Sequence, residues 1–161
     1  MKYLKSLSLC FAILIFMTSC SRSSFTNDRS CEEICTTITA AIDDQQYMQF
    51  DSTHLNVYFE DNSKYDDYYI VYSESTNDIN EFGIFHATDK ENSNELYDSC
   101  LEYIQELQEN SRAFIASYSP NELNKLDNAQ VRKFGNYVVY TVLSEDSAQL
   151  VFNQVEKLLV K

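Results

Sequence analysis

A long helical pattern near the middle of the chain places the strongest constraint on its fold. Between Glu91 and the pair Ser119-Pro120, apolar side chains recur every three or four positions, with charged side chains between them. This periodicity predicts an amphipathic helix of about 28 residues and about 40 Å, which Pro120 ends. Because such a helix needs a broad apolar partner, we expect it to lie across a whole β-sheet. Its stripe comprises Leu96, Cys100, Tyr103, Ile104, Leu107, Ser111, Phe114 and Tyr118.

Four segments on either side of this helix have the composition of β-strands. Residues 68–72 and 82–88 precede the helix, residues 131–134 and 137–143 follow it, and all four are rich in β-branched and aromatic side chains. Gly135-Asn136 is a two-residue hairpin signal, in which glycine can take a positive φ. Since short connections join each sequential pair, antiparallel pairing is favoured.

Further helices are predicted at both ends of the domain. Ser30 and Glu33 have capping-box spacing before a helix over about residues 31–44. Ser144 begins the last helix, and short helical turns are expected near residues 52–59 and 121–127. The predicted fold class is α+β. It consists of an antiparallel four-stranded sheet made of two strand-strand-helix units, with the long helix and the C-terminal helix on one sheet face and an N-terminal helix before them.

The N-terminus has the features of an export signal. Lys2 and Lys5 precede an apolar stretch from Leu7 to Met17, which is too short for a permanent membrane span. Small residues then lead to Cys20, as in a lipobox, where fatty acyl chains such as palmitate become attached through the Cys sulfur. We therefore expect a signal peptide over 1–19, a lipidated Cys20 with a polar tether over 20–30, and one domain over 31–161. Ordinary secretion, with a coincidental Cys20, is the alternative.

Charge excludes one large class of partner. The chain has 161 residues, 12 Lys and Arg, 25 Asp and Glu, and a net charge of −13. Such a chain has no basic surface for a phosphate backbone, so no nucleic acid is expected as a partner. A membrane is expected as a partner only through the lipid on Cys20, and an envelope protein is a further possible partner. The length fits a single domain.

Five short segments follow one another in the order and spacing of a known family. Together they resemble domain-of-unknown-function family 4358 (DUF4358), over about residues 68–152. The resemblance implies a small membrane lipoprotein, mostly found in Gram-positive anaerobes, and implies no activity. The family pattern has Lys at the position of His86, so a role tied to that lysine does not carry over. The segments are residues 81–89, 114–120, 129–131, 135–138 and 144–146.

Three cysteines are the candidates for thiol chemistry: Cys31, Cys35 and Cys100. Cys31 and Cys35 have the spacing of a metal-ligand or redox pair, but a structural zinc site needs four ligands and no second pair is present. A disulfide across one helical turn is also geometrically awkward. Cys35 and Cys100 fall on apolar stripes, which favours packing. A thiol-dependent or small hydrolytic enzyme using Cys31, Cys35 or Cys100 is one alternative function.

His54 and His86 are the only histidines of the chain. A hydrolytic triad holds a histidine between a nucleophile and an acid, and the sequence has neither a Gly-x-Ser-x-Gly elbow nor a His-Glu-x-x-His helix. His86 is expected at the surface or at a sheet edge. No catalytic residue is predicted.

Acidic residues are concentrated between Asp43 and Glu81, where Lys64 is the only Lys or Arg. Clustered carboxylates could bind Ca²⁺, so an acidic Ca²⁺-binding module is a second alternative function, although the EF-hand loop pattern is absent. A solvated face that keeps an exported protein soluble is the favoured interpretation. No metal site and no cofactor is predicted. The acids are Asp43, Asp44, Asp51, Glu60, Asp61, Asp66, Asp67, Glu74, Asp78 and Glu81.

Tyrosines lie around the acidic tract and could form a platform for a sugar or a peptide. Alternation along a strand would bury about half of them, so they are expected to divide between core and edge. Taken together, the sequence predicts a non-enzymatic, lipid-anchored, extracytoplasmic binding domain. The tyrosines are Tyr58, Tyr65, Tyr68, Tyr69 and Tyr72.

Overall fold

The computed structural model describes residues 24–42 and 46–161, except for the side chain of His54. The predicted signal peptide, Cys20 and the first part of the predicted tether therefore lie outside the described residues. Asp43 and Asp44 of the acidic tract lie outside them too. In the described ranges, no helix has the length and apolar character needed to cross a membrane.

The described chain forms five strands and five α-helices. The order is α1, β1, α2, β2, β3, α3, α4, β4, β5 and α5, with one 3-10 turn (Pro120–Glu122) before α4. The helices are α1 (Cys31–Ile42), α2 (Ser52–Tyr58), α3 (Lys90–Tyr118), α4 (Leu123–Asp127) and α5 (Glu145–Leu159). The strands are β1 (Tyr47–Gln49), β2 (Tyr65–Ser73), β3 (Glu81–Ala87), β4 (Gln130–Phe134) and β5 (Tyr137–Val142).

The strands form one antiparallel sheet in the order β1-β2-β3-β5-β4. This confirms the α+β class and the two hairpins, but the prediction of four strands is wrong by one. The additional strand, β1, has three residues and pairs with β2 from Tyr47 opposite Ser73 to Gln49 opposite Val71. A strand this short has no readable alternation, so only its pairing partner identifies it.

Helices cover both faces of the sheet, which corrects the prediction of helices on one face. Helices α1 and α5 pack on one face, against Val71, Phe82 and Val139 among others. Helices α2 and α3 pack on the other, against Ile70 and Phe85 among others. The physical reason is that the central strands are apolar on both sides: every residue of β5 is buried, and so is every residue of β3 except His86.

The long helix α3 forms as its sequence predicts. It has 29 residues, and its N-cap Asp89 accepts a hydrogen bond from the backbone N–H of Asn92 at 2.9 Å. At its other end the backbone N–H of Ser119 donates to the carbonyl of Ile115, and Pro120 begins the next turn. The stripe residues in its first half are buried, whereas Phe114 and Tyr118 are exposed. The second half of the helix is packed through Ile115, which is buried with Leu126 of α4 and Val142 of β5.

The described part of the predicted tether lies against the domain. Phe25 forms a bridge with Val160 and makes an edge-on contact with Phe134, with ring centroids 5.9 Å apart. The backbone N–H of Thr26 donates to the carbonyl of Leu159, and that of Lys161 donates to the carbonyl of Ser24. Residues 24–30 are thus held to the last helix and the β4–β5 hairpin.

Candidate functional site

The three candidate thiols are buried, and they lie on two different helices. Cys31 and Cys35 on α1 pack in the core between α1, α5 and the sheet, and Cys100 on α3 packs in the core on the opposite face. All three are free. Burial raises the pKa of Cys35 to about 12. It also raises the pKa of Cys100, and together with the nearby Asp67 carboxylate it raises the pKa of Cys31. These are the properties of packing residues and the opposite of an activated nucleophile.

We expect these three thiols to resist alkylation in the folded protein. Iodoacetamide reacts with exposed thiolate, and burial and raised pKa values reduce both the access and the thiolate fraction. Peptide mass spectrometry should find Cys31, Cys35 and Cys100 unlabelled under native conditions and labelled after unfolding in guanidinium. Rapid native labelling of any one of them would restore the thiol-enzyme alternative.

His86 lies on the central strand β3, so it is not at a sheet edge, and it is half-buried. Its Nδ1 is 2.6 Å from a carboxylate oxygen of Asp66, and its ring packs on Tyr137. Its Nε2 is buried and has no hydrogen-bond partner in the described part of the chain. An Asp-His pair without a nucleophile at Nε2 lacks the third member of a hydrolytic triad.

The described acids of the acidic tract do not form one cluster, and several of them contact different partners. Asp61 accepts from Ser63, Asp66 contacts His86, and Asp67 accepts from the backbone N–H of Cys31 at 2.7 Å. Within residues 24–42 and 46–161, no three metal-ligating side chains come together. One member of the tract departs from the predicted solvated face, because Glu81 is buried.

Glu81 forms a buried polar site between β3, α3 and β5. It begins strand β3 and is 9 % exposed. The hydroxyls of Tyr103 on α3 and Tyr140 on β5 both donate to its Oε1, each at 2.7 Å. Burial raises the pKa of Glu81, while the two tyrosine hydrogen bonds oppose that rise. Among the described residues no Lys or Arg forms an ion pair with it, so a negative charge on Glu81 is stabilised only by the two hydroxyls.

A glycine makes this arrangement possible. Gly83 follows Glu81 on the same face of β3 and lies opposite Tyr140 on β5. A Cβ on Gly83 would lie 2.3 Å from Cε1 of Tyr140 and 2.9 Å from Cγ1 of Ile70. The Tyr140 ring therefore occupies the space of the missing side chain, which lets its hydroxyl reach Glu81.

Glu81 lines a groove that opens between the beginning of β3, the end of β2 and the second half of α3. We call this feature the Glu81 groove. Its volume is about 420 Å³, within the range of small-molecule sites. Its lining is mostly apolar and aromatic. The lining residues are Phe50, Tyr58, Tyr72, Ser73, Asp78, Ile79, Asn80, Glu81, Tyr103, Leu107, Ser111, Phe114 and Ile115.

An ion-pair cluster braces one wall of the groove. The ammonium of Lys125 on α4 lies 2.9 Å from a carboxylate oxygen of Asp78 and 2.7 Å from one of Glu122. Glu122 also accepts a hydrogen bond from the backbone N–H of Ile79. The β2–β3 connection is thus fixed to the residues that follow α3, and the wall formed by Asp78 and Ile79 is pre-organised.

The tyrosine platform predicted from the sequence divides between the groove and the two cores. Tyr58 and Tyr72 line the Glu81 groove. Tyr65 and Tyr68 pack against Phe85 on the α3 face, and Tyr69 packs against the opposite core. The prediction that alternation would bury about half of the set is too high, because only Tyr65 of the five is buried. Tyr58 and Tyr72 remain available to a ligand.

Comparison with known families identifies the domain type. The family model for the domain of unknown function DUF4358 matches residues 40–143. The chain belongs to the DUF4358 family. Curated proteins and solved structures gave no match. All residues of the Glu81 groove lie inside the matched segment, whereas α5 and most of α1 lie outside it. The groove is thus built entirely from the DUF4358 domain.

Proposed function

We propose that this DUF4358 protein is a non-enzymatic binding domain, anchored by lipid on Cys20 to the extracytoplasmic face of the membrane, with the Glu81 groove as its ligand site. The groove is the observation that carries the proposal. It is an apolar cavity with one buried carboxyl group, braced by the cluster around Lys125. Ligand sites have this composition, with apolar walls for affinity and a few polar groups for orientation.

The position of the groove suits a domain held from its N-terminus. Ser24 and Phe25 lie beside the C-terminus and the β4–β5 turn. Strand β3 ends at this turn, because the backbone N–H of its last residue, Ala87, donates to the carbonyl of Asn136. Glu81 is at the other end of strand β3, about 20 Å away at the rise of an extended strand. Ser24 follows Cys20 by four positions, a reach of about 14 Å at most. An anchor at Cys20 would keep the hairpin end near the membrane and the groove at the far end.

The enzymatic alternative has no activated group among the residues that the structure describes. Cys31, Cys35 and Cys100 are buried with raised pKa values, and His86 contacts only one catalytic-type partner, Asp66. The Ca²⁺ alternative lacks clustered ligands in the described residues. Neither alternative is favoured by a particular contact, so binding at the groove is the better hypothesis.

The anchor is tested by Cys20→Ala. In cells fed an alkyne-bearing palmitate analogue, we expect the wild-type protein to carry the label and to partition into the detergent phase of a cloud-point extraction. The Cys20→Ala variant should lose the label and, once its signal peptide is removed, move to the aqueous phase, because the acyl chains supply the membrane affinity.

Cys10→Ala is the matched control, since it makes the same change within the predicted signal peptide. It should leave both the label and the partitioning as in the wild type. Label that persists in Cys20→Ala, or that is absent from the wild type, would contradict the lipid anchor.

A further inference from the structure

The Glu81 groove combines aromatic walls with negative charge. Two aromatic pairs line it. Phe50 and Tyr72 have ring centroids 5.1 Å apart, and Tyr58 and Tyr103 have centroids 4.9 Å apart. Aromatic faces carry negative electrostatic potential and attract cations, most strongly where the cation is also desolvated.

The charges of the groove have one sign. Its lining contains two acids, Asp78 and Glu81, and none of its lining residues is Lys or Arg. The base beside this wall is Lys125, which already lies between Asp78 and Glu122. Asp78 is therefore compensated, whereas Glu81 receives only tyrosine hydroxyls. A buried carboxyl group without a cation is costly to ionise, and a cationic ligand would remove that cost.

We propose, on the basis of the binding function above, that the Glu81 groove binds a small organic ammonium ion, whose charge pairs with Glu81 and whose alkyl groups contact the aromatic walls. The volume of about 420 Å³ accommodates such an ion with an apolar body. The net charge of −13 also draws cations toward the domain. The carboxyl group of Glu81 is neither paired with a base nor placed on the solvated surface. An ammonium ligand would explain its position.

A neutral ligand, such as a sugar, is the competing occupant. It would use the same aromatic walls and would accept or donate hydrogen bonds at Glu81, but it would gain nothing from the negative charge. The two occupants can be separated with a pair of probes of the same shape, namely choline and its neutral isostere, in which carbon replaces the ammonium nitrogen.

The experiment is an NMR titration of the full chain in detergent micelles, with carbon-13 in the tyrosine rings. We expect choline to shift the signals of Tyr58, Tyr72 and Tyr103. It should leave those of Tyr69 unchanged, because Tyr69 packs against the core on the opposite sheet face. The neutral isostere should bind at least about ten-fold more weakly, because it makes neither an ion pair with Glu81 nor a cation–π contact with the aromatic walls.

Variants test the two parts of the site. Glu81→Gln keeps an acceptor for both tyrosine hydroxyls, removes the charge and should weaken choline binding by about ten-fold or more. Phe114→Ala truncates an exposed groove residue, 65 % accessible, without opening the core, and should weaken choline at least as much as the neutral isostere, because the ring attracts the cation. Glu91→Gln removes an exposed charge in the first turn of α3 and should change neither titration.

The outcomes separate the ligand class from the binding function. If the neutral isostere binds as well as choline, or if Glu81→Gln binds choline normally, the ammonium assignment is wrong while ligand binding in the groove stands. If neither probe shifts the groove tyrosines, both the ammonium assignment and the groove as ligand site are overturned.

Discussion

Replacing Gly83 by Ala should destabilise the domain by about 3 kcal/mol, the upper range for overpacking a core. Ordinarily an Ala in a strand is favoured over Gly because the unfolded chain loses less entropy on folding. Here the new Cβ would meet Tyr140 at 2.3 Å and Ile70 at 2.9 Å, in the middle of the central strand β3. Neither neighbour can move freely, because Tyr140 and Ile70 are both fully buried.

Urea denaturation followed by circular dichroism measures this effect, and a double-mutant cycle identifies its cause. In a Tyr140→Leu background the ring that clashes with the new methyl group is gone, so Gly83→Ala should lose most of its cost. Equal costs in the two backgrounds would mean that the destabilisation does not arise from the Tyr140 ring.

The elements of this fold were readable from local patterns. The period of α3 with its stop at Ser119-Pro120, and the Gly135-Asn136 turn, correspond to the helix and the hairpin of the structure. Gly135 has a φ of +66°, as its place in the turn requires. Helix α2, placed from a weak signal, is also present. Local patterns suffice where capping groups and turn residues determine an element.

The layering of the domain depends on tertiary contacts and was predicted wrongly. A sheet with one covered face should alternate between apolar and polar residues, but residues 137–142 read Tyr-Val-Val-Tyr-Thr-Val without alternation. That run was a signal for helices on both faces. Strand β1 carried no such signal, because its three residues are defined by pairing with β2.

The site was missed because burial of Glu81 depends on which face of β3 it occupies. In sequence, Glu81 is one acid among ten in a charged tract, and the tract as a whole favours solvation. Its two donors come from α3 and β5, 22 and 59 residues further along the chain. A weak signal existed: Glu81, Gly83 and Phe85 alternate onto one face, and Tyr103 falls on the apolar stripe of α3. The register between β3 and β5 brings Tyr140 to this face, and the packing of α3 on the sheet brings Tyr103 there.

The double substitution Tyr103→Phe with Tyr140→Phe removes both hydroxyls that donate to Glu81. At a pH where Glu81 is ionised, it should lower the free energy of unfolding by about 3 kcal/mol or more, since hydrogen bonds to charged groups contribute about 1.5–3 kcal/mol each. The two hydroxyls hold the pKa of Glu81 down against the effect of burial. Without them its pKa should rise further above the ordinary value of 4.5.

The sign of the pH dependence follows from linkage. A carboxyl group whose pKa is higher in the folded than in the unfolded state contributes stability below its unfolded pKa, and that contribution is lost as the pH rises through its folded pKa. The cost of the double substitution should therefore be smallest below pH 4.5. The cost should grow as the pH rises through the folded pKa of Glu81 in the wild type, and it should level off above the folded pKa of the variant.

Urea denaturation of the wild type and the variant across this pH range measures the difference. Tyr118→Phe is the matched control, because its hydroxyl belongs to a side chain that is 74 % exposed, and it should have no effect at any pH. In a Glu81→Gln background the double substitution should lose its pH dependence while keeping a smaller, constant cost. If the double substitution has the same cost at every pH while Glu81 is present, the tyrosines act through packing. Their hydroxyls would then not stabilise the ionised carboxyl group of Glu81 at the base of the groove.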